Sequence, residues 1–260
     1  MKRIHELFNK KKNNVLSIYF TAGYPGIDDT VTIIKDLSET GVDMIEIGFP
    51  FSDPLADGPI IQASSSKAIE NGMTLAYLFE QLKEIRTVTQ IPLILMGYLN
   101  PVLQFGERNF LEKCKEVGID GVILPDMPLD YFEQRLKSHF DELQIANILL
   151  ITPETAEKRI RYIDERSSGF VYLVSSNSIT GGNKNLDLQT DYFIRIRKMN
   201  LRNPTIIGFG IRDYETFQKA CQYSNGAIIG TAFIKQLEDF KTEKRNIQKF
   251  IEKLRNTKSL

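Results

Sequence analysis

The stretch Met44–Pro59, MIEIGFPFSDPLADGP, decides how the chain is read. Its first four residues have the apolar character of a buried strand, interrupted by one charge. Strand alternation turns Glu46 away from the face that Ile45 and Ile47 use. A carboxylate there is costly unless it is paired or faces a polar cavity. Pro50, Pro54 and Pro59 then restrict φ, and each restricts the residue before it, so the segment is a shaped loop. Asp53 and Asp57 stand on that loop. A carboxylate at the C-terminal end of a strand, followed by a stiff acidic loop, is a catalytic layout in a fold of parallel strands. The competing reading is an acidic surface loop, which suits Asp53 better than Glu46 or Asp57.

Outward from this stretch, strands and helices alternate. Leu16–Thr21 (LSIYFT), the run PLILMGY from Pro92, Gly121–Leu124, Gln144–Ile151, Gly169–Val174 (GFVYLV), TIIGFG from Thr205, and Gly226–Gly230 read as strands. With the opening stretch they make eight. Helical spacing fills the intervals: a helix from Asp28 or Asp29 to about Glu39, one from Ile61 to Asn71, one capped by Thr74, and one through Phe110, Cys114 and Val117 to Gly118. Asn100-Pro101 reads as loop. A short apolar stripe, Ile4, Leu7 and Phe8, predicts an extra N-terminal helix placed to plug the bottom of a barrel. Short strands at this spacing pair in parallel through crossover helices. One (β/α)₈ TIM barrel spanning 1–260 as a single domain is the economical architecture. A doubly wound sheet is the alternative, but its GxGxxG fingerprint is absent.

Composition fits a soluble globular chain, with 42% hydrophobic and 25% charged residues. Lys plus Arg and Asp plus Glu balance at 33 each, so nothing asks for a nucleic-acid track or an anionic membrane surface. Cys114 and Cys221 supply neither a disulfide framework nor a metal cluster, and His5 and His139 share no motif; no metal is expected. No apolar run approaches about 18 residues, and the N-terminus lacks a signal-peptide stretch, so the cytoplasm is the expected location.

Two late glycine sites suit a phosphate. Gly208-Phe209-Gly210-Ile211 follows the seventh strand and Gly230-Thr231-Ala232 the eighth, where a barrel places its phosphate site. Thr180-Gly181-Gly182 adds a third contribution from the loop after the sixth strand, Ser175–Asn185, whose Ser, Asn and Gly content suits a lid as well as a plain turn. No lysine is placed as in a P-loop, which argues against a nucleoside triphosphate. No Ser-His-Asp or Cys-His arrangement can be assembled, so Glu46 and Asp57 carry the acid–base case. Tyr19 and Tyr172 are strand aromatics. Tyr172 points opposite to Val171 and Leu173, either offering its hydroxyl at the barrel mouth or filling the core. Phe209, between two glycines, reads as an aromatic wall.

The run IEIGFPFSDPLADGPIIQ closely resembles the signature of the tryptophan synthase alpha subunit family. The resemblance extends through Leu95-Met96-Gly97-Tyr98, Asp126-Met127-Pro128, Tyr172, Thr180-Gly181, Gly208-Phe209-Gly210 and Gly230-Thr231. It implies a (β/α)₈ barrel that cleaves indole-3-glycerol phosphate into indole and glyceraldehyde 3-phosphate. It also implies an αββα complex whose beta subunit carries pyridoxal phosphate and receives the indole, with no cofactor in this chain. By position, Glu46 resembles the general acid–base and Asp57 the indole-binding carboxylate. Tyr172 matches the active-site tyrosine, with Tyr19, Thr180 and Phe209 expected on the substrate. Gly181, Gly210, Gly230 and Thr231 match phosphate-loop positions. Asp53 falls where the family contacts its beta subunit, and Asn100 is expected to join that contact. Thr231 replaces the more usual serine, the lid lacks an arginine that some members have, and Tyr19 stands where some have phenylalanine.

The residues suit that chemistry. Retro-aldol cleavage needs indole C3 protonated and the adjacent hydroxyl deprotonated. Glu46 serves both transfers if partial burial moves its pKa toward neutrality. An ionised Asp57 holds the indole N–H and stabilises the positive charge on the ring. Apolar residues around the third to fifth strands are expected to hold the indole. The alternatives are a standalone indole-releasing lyase, a sugar-phosphate epimerase or isomerase on a similar barrel, and a non-catalytic regulatory partner.

Overall fold

The strand segments are apolar almost without alternation because both of their faces are covered, by helices outside and by one another inside. A computed structural model of the chain describes residues 1–175, 189–208, 210–239 and 247–255. Nine strands appear there: β1 (Val15–Thr21), β2 (Met44–Gly48), β3 (Leu93–Met96), β4 (Gly121–Ile123), β5 (Ala146–Asn147), β6 (Leu149–Ile151), β7 (Val171–Val174), β8 (Thr205–Gly208) and β9 (Gly226–Ile229). All pair in parallel, in the order β5-β4-β3-β2-β1-β9-β8-β7-β6.

The two ends of that order are neighbours in the chain. Only Ile148 separates β5 from β6, and its N–H donates to Val122 O at 3.1 Å. The fifth expected strand, Gln144–Ile151, is therefore one strand in two pieces, the first paired to β4 and the second to β7. The sheet nearly closes on itself, as the barrel reading requires, and the doubly wound alternative falls. Register then builds the interior: Tyr19 lies opposite Glu46, and Glu46 opposite Ile94.

The helices follow the expected punctuation with two differences. Pro59 opens the helix Pro59–Glu70, two residues before the expected start, at a first-turn position where its missing N–H costs nothing. Thr74 caps the next helix, accepting from Tyr77 N at 3.1 Å. Asn100-Pro101, read as loop, lies inside the helix Leu99–Phe105. Proline is tolerated in a first turn, and the Asp126 carboxylate accepts the Leu99 N–H at 2.9 Å, a cap that arrives from the following βα loop.

The helix Lys2–Lys10 closes the bottom of the barrel, as its stripe predicts. Ile4 is fully buried, and the Phe8 ring sits 6.2 Å from that of Phe170. Asp120, buried just before β4, locks the plug in place. Its Oδ1 accepts from Arg3 at 3.2 Å, while its Oδ2 accepts from Arg86 at 2.6 Å and from Leu93 N at 3.1 Å. Removing one partner of a buried ion pair leaves the rest desolvated and unpaired. We expect Asp120→Ala to lower unfolding free energy by about 3 kcal/mol in urea titrations, with turnover per folded molecule unchanged. An unshifted urea midpoint would show that the cluster contributes nothing.

Candidate active site

The loop after β2 is fixed by tight local turns and by two neighbours. Leu55 N donates to Asp53 O at 2.9 Å and Asp57 N to Pro54 O at 3.0 Å. Ser65 binds the backbone of Phe51 on both sides, and Gln62 Nε2 donates to Asp57 O at 2.9 Å. From just past the end of the adjoining strand β3, Tyr98 completes the hold. Its hydroxyl accepts the Ala56 N–H and donates to Asp57 Oδ2, both at 3.0 Å. Its ring packs 5.3 Å from that of Phe51. Asp57 is half-buried, and desolvation pushes its carboxyl up to about 6, with the Tyr98 hydrogen bond opposing.

Glu46 lies deeper than the sequence reading put it. It was expected at a strand end and partly buried; it sits in the middle of β2 and is wholly enclosed. The register explains this, since Tyr19 and Ile94 flank it on the two adjoining strands. Ser17 Oγ donates to Glu46 Oε1 at 2.8 Å, and Oε2 has no hydrogen-bond partner among the described residues. Burial pushes this carboxyl up to about 8, with the Ser17 hydrogen bond opposing.

Tyr19 and Tyr172 lean into the mouth beside it. Each phenol occupies space that a glycine leaves open: a Cβ on Gly48 would fall 2.2 Å from the Tyr19 hydroxyl, and one on Gly208 would fall 1.9 Å from that of Tyr172. Burial raises both phenols far above their ordinary range, and the negative charges of Glu46 and Asp57 add to it. Both are therefore neutral donors at physiological pH.

A cavity of about 460 Å³ opens above, within the range of small-molecule sites. It is lined by Tyr19, Asp57, Ile61, Met96, Tyr172, Gly210, Ile211, Arg212, Ile228, Gly230, Thr231, Ala232 and Lys235. Thr231 is the first residue of the helix Thr231–Asp239, so the lining includes a helix N-terminus. Tyr19, Asp57, Tyr172, Gly210, Gly230 and Thr231 thus share one cavity, with Glu46 behind its wall. Thr180, Gly181 and Phe209 lie outside the described residues, as does the expected lid beyond Ser175. Asp53 and Asn100 are exposed and outside the cavity; Asp53 accepts a hydrogen bond from the Ser52 hydroxyl. Of the third to fifth strands expected to hold the indole, Met96 alone reaches this wall. Ile61, Ile211, Ile228 and Ala232 supply the rest of its aliphatic lining.

Sequence reading missed four polar participants. Ser17 shares the interior face of β1 with Tyr19, two residues on, and that spacing was the available signal. Tyr98 closes an apolar strand run, where a hydroxyl reaches the mouth. Arg212 and Lys235 follow the two glycine sites by two and five residues, counted from Gly210 and Gly230.

A family model for the tryptophan synthase alpha chain matches residues 5–260. The chain belongs to this family.

Among its relatives, the tryptophan synthase alpha chain of Flavobacterium psychrophilum is 59% identical, over 92% of this chain and 94% of its own. That of Flavobacterium johnsoniae is 53% identical over 98% and 100%. Of solved structures, Mycobacterium tuberculosis tryptophan synthase aligns with TM-score 0.87 at 27% identity, covering 98% of this chain and 97% of the other. A tryptophan synthase complex from Pyrococcus furiosus aligns with TM-score 0.81 at 32% identity, covering 94% and 99%. The family's known reaction is the cleavage of indole-3-glycerol phosphate, the alpha reaction of tryptophan biosynthesis, and members are lyases.

The buried Glu46 has a measurable signature in stability. A carboxyl whose folded pKa is raised favours the native state while it holds its proton. That contribution is fully present below the ordinary pKa of 4.5 and is lost as pH rises to about 8. Glu46→Gln keeps the shape and cannot ionise. Its stability relative to the parent should therefore climb between about pH 5 and pH 8, read as diverging urea midpoints. Parallel midpoints across that range would mean that Glu46 is not held protonated.

Proposed function

We propose that the chain carries out this cleavage with Glu46 as the general acid–base and Asp57 as the carboxylate that stabilises the indole cation. The observation that carries the reading is the pairing of a buried, proton-holding Glu46, one of whose oxygens lacks a hydrogen-bond partner among the described residues, with an Asp57 that is ionised at neutral pH. Glu46 delivers its proton to indole C3, and the ring nitrogen becomes cationic beside Asp57. The Glu46 carboxylate then accepts the proton of the glycerol hydroxyl. As the carbonyl forms, the carbon–carbon bond breaks and its electrons return to the ring. Indole and glyceraldehyde 3-phosphate leave, and Glu46 ends protonated as it began. Tyr19 and Tyr172 are the proposed substrate-facing phenols, and Thr180 and Phe209 are proposed as further substrate contacts on the strength of the resemblance alone.

The phosphate reading draws on Gly210, Gly230 and Thr231 around one helix N-terminus, with Gly181 as the expected fourth member. The chain is proposed to work as one domain over 1–260, in the cytoplasm, without a cofactor of its own. Its proposed partner is a pyridoxal-phosphate-bearing beta subunit in an α2β2 assembly. Support comes from the solved complex above and from an exposed rim where Leu55 is 85% accessible next to Asp53, with Asn100 also exposed. A standalone indole-releasing lyase would use the same residues and would differ in owing nothing to a partner.

Indole release tests the chemistry. Asp57 must be ionised and Glu46 protonated in the free enzyme, so kcat/KM should fall below about pH 6 and above about pH 8. Glu46→Gln should lose roughly 10²–10⁴-fold while still binding substrate, and Asp57→Asn should lose turnover more than affinity. Thr231→Glu should abolish competition by inorganic phosphate. Wild-type turnover in Glu46→Gln would sink the assignment.

The partner reading has its own test. Asp53 lies four residues from Asp57 on the same braced loop. Asp53→Ala should keep its basal rate and lose most of its stimulation when a beta subunit is titrated in. Equal fold-activation at saturation would remove Asp53 from the coupling.

A further inference from the structure

Glu46 is anchored from one side by a hydroxyl that neither the resemblance nor the proposed chemistry uses. Ser17 Oγ sits 2.8 Å from Glu46 Oε1, both residues are fully buried, and Oε2 has no hydrogen-bond partner among the described residues. Ser17 is itself held rigidly, since β1 is paired on both sides, with Ser17 opposite Met44 on β2 and opposite Ile228 on β9. We propose that Ser17 is a positioning residue that divides the work of the Glu46 carboxyl, anchoring Oε1 and reserving Oε2 for proton transfer. The inference rests on the reading of Glu46 as the acid–base group.

The chemistry of the two protonation states supports this division. A neutral carboxyl has one carbonyl oxygen and one hydroxyl oxygen, and a hydrogen-bond donor prefers the carbonyl oxygen. Ser17 therefore leaves the proton on Oε2. When that proton is given up, the same hydroxyl donates to a carboxylate oxygen, a stronger charge-assisted bond. Ser17 need not move during the cycle, and it favours the ionised form just when the group must act as a base. Without an anchor the carboxyl can rotate about its last torsion, and its two oxygens become equivalent.

The surroundings leave this role to Ser17. The titratable groups that face Glu46 are the phenols of Tyr19 and Tyr172, both neutral, with Asp57 beyond them on the cavity wall. Desolvation and the Ser17 hydrogen bond are the two influences on the Glu46 proton, and they oppose each other. Removing the hydroxyl therefore leaves burial unopposed.

The experiment is the pH profile of indole release by the full chain. Ser17→Ala and Ser17→Cys both remove the strong donor, and Ser17→Thr keeps it. In the first two, the alkaline limb of kcat/KM should move up by about one pH unit and kcat should fall roughly tenfold, as for a lost hydrogen bond to a charged group. KM should stay within about twofold, and Ser17→Thr should restore the limb. In a Glu46→Gln background Ser17→Ala should change nothing further. An alkaline limb unmoved in both Ala and Cys variants, with Glu46→Gln still inactive, overturns the Ser17 role and leaves Glu46 in place. Full activity in Glu46→Gln removes the underlying reading and Ser17 with it.

Discussion

Glu46 keeps a carboxyl where water does not reach, with one hydrogen bond from Ser17 set against the cost of desolvation. An isolated ionised carboxylate there would be very unfavourable, and the group responds by holding its proton. That outcome requires the barrel to be closed. If β5 and β6 stood apart, the interior would fill with water and Glu46 would return to the ordinary carboxylate range. The single residue between those strands therefore bears on the proton affinity of a group several strands away.

The second carboxyl is set differently by its environment. Asp57 is only half-buried and takes a hydrogen bond from Tyr98, so its pKa rises to about 6 where that of Glu46 rises to about 8. Between these values one group is charged and the other neutral. Two carboxyls of nearly equal intrinsic acidity are thereby given opposite states, and such a separation assigns acid and counter-ion roles. The neighbouring phenols do not disturb it, because burial keeps both of them neutral.

Much of this was legible in the residues. Alternation in Met44–Gly48 was enough to put Glu46 on the face opposite Ile45 and Ile47, and the long signature was specific enough to carry the family. Its depth was not legible, because depth depends on where β1 and β3 stop relative to β2. The contacts that tune the site were also hidden, since they join distant segments. Ser17 reaches Glu46 across 29 residues and Tyr98 reaches Asp57 across 41. The helix at Asn100-Pro101 was missed for the same reason, its cap being Asp126, 27 residues beyond Leu99. Local pattern reveals which face a residue uses; the partner waiting on that face belongs to another strand.

One strand ties the stable end of the barrel to the reactive end. At the start of β3, Leu93 N is bound by Asp120; just past its end, Tyr98 holds Asp57. The Asp57 loop is thus referenced to the rigid sheet through Tyr98 and to the helix Pro59–Glu70 through Gln62 and Ser65. Between Pro54, whose carbonyl accepts from Gln62, and Ala56, Leu55 projects into solvent. Ala56 separates Leu55 from Asp57, and its N–H is the one bound by Tyr98. A load on Leu55 is therefore transmitted first to the Tyr98 hydroxyl, which shares its bonding between Ala56 and the Asp57 carboxylate. Accepting the Ala56 N–H makes that hydroxyl a stronger donor, so pulling Ala56 away weakens its bond to the Asp57 carboxylate, and seating Ala56 against it strengthens that bond. A proline-braced loop with an exposed apolar tip and one shared hydroxyl at its base can convert contact at the rim into a change of charge stability at the cavity wall.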